Sequence, residues 1–92
     1  DPKGYFLIDI DRSGKKLKAG YCKIYKNKKY KNDKMIAEVE GNSALEIINT
    51  LIEKKFISSL QHAGDMGIEL CKAELALKYG LKYTQDKDLK IS

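Results

Sequence analysis

Long apolar runs are missing from this 92-residue chain. No stretch approaches the roughly 18 apolar residues of a membrane span, and no charged-then-apolar segment resembles a secretion signal. The expectation is a soluble, cytoplasmic protein with no membrane partner. Cysteine is scarce too: Cys22 and Cys71 are the only two, far apart and in no C-x-x-C pair, which argues against a disulfide framework and for two buried, reduced thiols. A single histidine, His62, with no second ligand cluster argues against a zinc site. Gly-rich phosphate loops, a nucleophile elbow and paired catalytic carboxylates are also lacking. No motif therefore compels a particular chemistry.

The charge that is present is unevenly spread. Net charge is +5, and ten basic residues lie between Arg12 and Lys34 against one acid, Asp33. Nine of the ten are lysines, which meet phosphate as mobile point charges and lack the bidentate fork of arginine. Tyr21, Tyr25 and Tyr30 interleave with them, as in a single-strand stacking platform. Nucleic-acid or anionic-ligand binding through hairpin residues 12–34, with Lys23, Lys26, Lys28, Lys29 and Lys31 as contacts, is thus one reading. The plainer one is the solvated face of a twisted, lysine-rich hairpin.

The length admits one domain with one modest core. An opening at Asp1-Pro2 without Met, already running into a strand, is what a C-terminal fragment of a longer protein would show. The pattern predicts an α+β fold in which a three-stranded antiparallel sheet, at about 5–10, 17–25 and 35–39, precedes two helices, at about 44–55 and 62–79, packed on one face. Tyr5 to Ile10 is aromatic and β-branched, and Asp11-Arg12-Ser13-Gly14 turns it. In the second strand Leu17 and Ala19 share one parity and Cys22 and Ile24 the other, so a bulge at Gly20 would bring both pairs to the core side. Met35, Ala37 and Val39 then face one way in the third.

Helix signals are stronger. Ser43 with Glu46 forms a capping box, and Ala44, Leu45, Ile47, Ile48, Leu51 and Ile52 follow at helical spacing. After Ile57-Ser58-Ser59, a connector with extended character, the second helix runs from His62 to a left-handed cap at Gly80. That helix is apolar on two sides: Met66, Leu70, Ala73 and Leu77 form one stripe, and Ile68, Cys71, Leu75 and Ala76 a second. Gly64 and Gly67 make it slim. Glycine inside a helix costs about 1 kcal/mol against alanine, which calls for close packing, a ligand or a late helix start. Packing against the sheet and first helix is one explanation, and a partner or a homodimer through helix 62–79 is the other. His62, Asp65, Glu69 and Lys72 line a further face. They read as a solvated face with a Glu69–Lys72 ion pair, or as acid–base chemistry built on His62 with Glu69.

The opening Asp1-Pro2-Lys3-Gly4-Tyr5-Phe6, the helix His62-Ala63-Gly64-Asp65-Met66-Gly67-Ile68-Glu69-Leu70-Cys71-Lys72-Ala73-Glu74-Leu75-Ala76-Leu77 and the close Tyr83-Thr84-Gln85-Asp86 resemble domain of unknown function 4346. That archaeal and cyanobacterial family carries D-P-x-G-Y-F, H-A-x-x-x-G-x-E-x-x-K-A-E-x-A-L and Y-x-Q-D. Asp65-Met66 departs from the aromatic and leucine of many relatives. The resemblance implies a partner: a dihydropteroate-synthase-like, pterin-binding barrel in the tetrahydromethanopterin metabolism of a methanogen. It implies no cofactor in this domain itself, with pterin held by the associated one. As ligand- or partner-binding positions it singles out Tyr5, His62, Gly67, Glu69, Lys72, Gln85 and Asp86, together with Gly4 and Glu74. It also implies that His62 and Glu69, seven apart, anchor the helix to Tyr83-Thr84-Gln85-Asp86 by buried polar bonds. An accessory, non-catalytic packing module is the leading expectation, ahead of anion binding and of a small enzyme.

Overall fold

A computed structural model describes residues 4–23 and 34–91. Within them the order is β1 (Gly4–Asp11), β2 (Lys16–Lys23), β3 (Lys34–Gly41), α1 (Ala44–Glu53), α2 (Leu60–Ala63), α3 (Asp65–Tyr79) and β4 (Leu89–Ile91). The predicted α+β architecture stands, with two corrections. The sheet has four strands, in the order β3-β2-β1-β4 with every pairing antiparallel, rather than three. The second helix is two pieces rather than one, broken at Gly64, so there are three helices.

Residues alternate across β1 as its aromatic and β-branched composition demands. Phe6 and Ile8 are buried beneath the helices, whereas Leu7 and Asp9 are exposed on the other face. Phe6 is fully enclosed. Its ring lies 5.1 Å from Tyr21 and 6.1 Å, edge-on, from Phe56. Gly4 belongs to this arrangement, because a Cβ there would fall 2.3 Å from the Tyr21 hydroxyl. The glycine of the opening motif is thus the space that lets Tyr21 close over the strand end.

The expected bulge is displaced. The register slips between Tyr21 and Cys22 on β2, which pair with Ala37 and Met35, so the extra residue is Ile36 of β3. With no bulge in β2 itself, Leu17, Ala19 and Tyr21 share the core face and Cys22 takes the opposite one, where it pairs with Tyr5 and Met35. Met35 is consequently half exposed instead of joining Val39 in the core, and its sulfur and methyl cover Gly20. Ile24 lies outside the described residues.

Helix α1 keeps its serine cap: Glu46 N–H donates to Ser43 Oγ at 3.2 Å. The returning carboxylate accepts from Asn42 N–H, one residue earlier than a standard box. Ala44, Ile47, Ile48 and Leu51 are buried, but Leu45 turns outward. The connector after Ile57 forms no strand. Ser59 instead caps the single turn of α2 by accepting from His62 N–H. Gly80 ends α3 in the left-handed region at φ 68, ψ 28, with nothing within 4 Å of where a Cβ would stand. Gly80→Ala should therefore cost about 1 kcal/mol through backbone strain alone. Chemical denaturation would check this, and a loss above about 2 kcal/mol would mean that more than backbone conformation is involved.

Candidate functional site

Two features converge on α3. The first is a polar latch on its inner side. Glu69 is 1% exposed, the one buried charged residue among those described. Tyr83 Oη donates to Glu69 Oε1 at 2.8 Å, and Lys72 Nζ stands 3.5 Å from Oε2. Lys72 also donates to Asp86 Oδ2 at 2.6 Å. The expected Glu69–Lys72 pair is present, but the solvated-face reading fails for Glu69. At position 69 the helix turns toward the core beside Met66, Leu70 and Ala73, and the segment after Gly80 folds over it. Gln85 completes the latch from the other direction. Its Oε1 accepts Ile8 N–H at 2.8 Å, while its Nε2 donates to Lys87 O at 2.8 Å and reaches Phe6 O at 3.4 Å.

These contacts shape the local acid–base behaviour. Burial, reinforced by the hydrogen bond to Glu69, pushes the Tyr83 phenol above its ordinary range. The hydrogen bond to Asp86 raises Lys72, and the same bond lowers Asp86. All three shifts reinforce the protonation states the groups already hold near neutrality. Both oxygens of Glu69 are engaged, and no buried side-chain polar atom among the described residues lacks a partner. A satisfied network of this kind fixes a segment in place.

His62 is not part of it. Gly64, at φ 52 and ψ −122, breaks the helix between His62 and Glu69, so the two do not share a helical face. The His62 ring turns back instead: Nδ1 accepts Ser58 N–H at 3.0 Å and lies 3.2 Å from Ser58 Oγ. With Asp65, Asp88 and Lys90 it borders a shallow cleft of about 190 Å³. The implied anchoring therefore holds for Glu69 and not for His62. Tyr5 sits on the sheet face away from the helices, paired with Cys22 and Lys90. Among the proposed hairpin lysines, Lys23 ends β2, whereas Lys26, Lys28, Lys29 and Lys31 lie outside the described residues. No cluster of three or more potential metal-ligating side chains occurs among the described residues.

The second feature is the outer side of α3. The stripe of Met66, Leu70 and Ala73 is buried, as expected. In the other stripe Ala76 is buried, but Ile68 is 59% exposed and Leu75 53%. Cys71, anticipated as a buried thiol, is exposed beside them, while Cys22 is buried. With Leu60, Gly67 and Ile48 they line an apolar groove of about 490 Å³. Gly64 is explained by its positive φ, but Gly67 is not: a Cβ there would meet only Ile48 Cδ1, at 4.0 Å. Close packing within the chain is thus no reason for that glycine.

Glu74, which the resemblance also singles out, has a defined place. Its Oε1 accepts Ala44 N–H at 2.7 Å and so ties α3 to the first turn of α1. The lysine, glutamates, glutamine and aspartate of the motif resembling domain 4346 are thereby accounted for as internal ties.

No solved structure matches this chain. It is 41% identical over 87 residues to Uncharacterized protein MJ0107 of Methanocaldococcus jannaschii, an alignment covering 95% of this chain and 15% of that protein. The chain therefore spans less than one-sixth of that relative. The PterinBD-DUF4346 family model matches residues 1–86, which include the opening strand, α3 and the Tyr83–Asp86 latch, and the chain belongs to that family.

Proposed function

We propose that this chain is an accessory packing module of a pterin-binding protein in tetrahydromethanopterin metabolism, and that the outer groove of α3 is the face it presents to the pterin-binding domain. The observation that carries this reading is the exposed apolar strip of Leu60, Ile68, Cys71 and Leu75 around a glycine with no packing role in its own chain. Apolar side chains gathered into one strip are an interface signature, whereas scattered ones are not. A slim helix also lets a second backbone approach closely, which raises the area buried per residue. The family description couples a pterin-binding element to this domain, and the archaeal relative carries ample additional chain for such an element. The latch of Glu69, Tyr83, Lys72 and Asp86 supports a structural role for the motif residues, since each engages a neighbour in its own chain.

The test is association between the full chain and a pterin-binding domain of the family, measured by calorimetry alongside sedimentation. Ile68→Asp with Leu75→Asp should weaken the complex at least about tenfold while leaving the far-ultraviolet circular dichroism unchanged. Undiminished binding by that variant would sink the docking face. A stable self-dimer through α3 that excludes the pterin-binding domain would replace the partner.

A further inference from the structure

At the end of the molecule where the β1–β2 turn meets the C-terminal turn of α3, three cations converge. Arg12 and Lys15 come from the turn and Lys78 from α3, and with Asn42, Glu74 and Leu77 they line a cleft of about 440 Å³. Its charge is three positive groups against one carboxylate. Among the described residues, none of the three cations has a carboxylate within ion-pair distance, whereas Lys16 and Lys18 on the adjoining strand are matched by Glu40 and Glu38. Within the cleft, three unpaired cations thus face a single carboxylate.

The cleft also has structure. Arg12 donates through Nη2 to Leu81 O, which fixes the guanidinium and leaves further N–H donors on its fork. Lys15 is held by a turn that places it at φ 53, and Lys78 Nζ lies 5.5 Å from the centre of the Tyr79 ring. Glu74 occupies the amide of Ala44 at the positive end of α1, so the chain already seats one carboxylate of its own there. Leu77 adds an apolar wall.

We propose that this cleft binds a small, multiply charged oxyanion carried on a compact carbon or phosphoryl skeleton. Two or more negative charges are needed to answer Arg12, Lys15 and Lys78 together, because Glu74 offsets only one of the three. The volume suits a small metabolite. A single-stranded nucleic acid fits less well: the cleft holds a carboxylate, and its lining includes no aromatic ring on which bases could stack.

Titration of the isotopically labelled full chain with inorganic pyrophosphate, and separately with citrate, tests this by NMR at about 20 mM salt, where screening is weak. Saturable shifts at residues 12–15, 42–44 and 74–78 are expected, with a Kd below about 1 mM. Lys15→Ala and Lys78→Ala should each weaken binding by about tenfold, and Lys16→Ala and Lys87→Ala should leave it unchanged. Both cleft lysines are exposed, so their loss spares the fold. Tighter binding of pyrophosphate assigns the site to phosphoryl ligands, and tighter binding of citrate to carboxylates. Shifts that do not saturate by about 20 mM, equal losses from all four lysine variants, or tighter binding of single-stranded RNA at these residues would overturn the proposal.

Discussion

Replacing Phe6 with alanine is expected to lower the unfolding free energy by about 3–5 kcal/mol. The side chain is fully enclosed on a strand flanked by β2 and β4, and its ring contacts two others, Tyr21 and Phe56, which also lie 5.2 Å from each other. Alanine would leave a cavity against both of the other rings. A domain of this size holds only about 5–14 kcal/mol in all, so the variant should sit near the edge of folding at ambient temperature. Urea denaturation gives the number directly. Phe6→Leu, which keeps most of the volume, should recover more than half of the loss, and equal losses for both variants would show that shape rather than volume controls this site.

Glu69→Ala is expected to cost about 2–4 kcal/mol, because it strands the Tyr83 hydroxyl and removes a buried charge from its cationic neighbour. Glu69→Gln retains an acceptor for Tyr83 and should cost clearly less. Tyr83→Phe should cost about 1 kcal/mol, the ordinary value of one hydrogen bond. In a double-mutant cycle, Glu69 and Tyr83 should be coupled by about 1 kcal/mol or more, whereas Glu69 and the exposed Asp86, which meet only through Lys72, should be coupled more weakly. Additivity between Glu69 and Tyr83 would mean that the 2.8 Å bond does not hold the latch closed.

The sequence reveals where the elements are better than where they end. Period-two alternation locates β1, and the Ser43 cap locates the start of α1 to the residue though not its end, because both depend on neighbouring side chains and backbone groups. Strand β4 is hidden, since three residues, Leu89 to Ile91, make no periodic pattern and become a strand only by pairing with β1. The bulge is misplaced because the extra residue belongs to the partner strand, at Ile36, and parity within β2 cannot report it. The break at Gly64, which separates His62 from Glu69, is one of the readings that the cost of helical glycine allows, but composition alone does not choose it over close packing. For the candidate site, Lys72 and Glu69 were legible as an ion pair from spacing. The burial of Glu69 was not, as it depends on Tyr83 arriving from a segment without regular structure.

Gln85 does more than secure the C-terminal segment. By accepting Ile8 N–H just beyond the last residue that β4 covers, a side chain continues the ladder where the backbone strand stops. On the side of β1 that faces β4, hydrogen-bonding groups are thus engaged internally from Gly4 to Ile8. Among the described strands β3 and the three-residue β4 are the outermost, and the bulge at Ile36 interrupts the regular spacing of β3. Strand addition is consequently discouraged on one side by the shortness of β4 and on the other by the irregularity of β3.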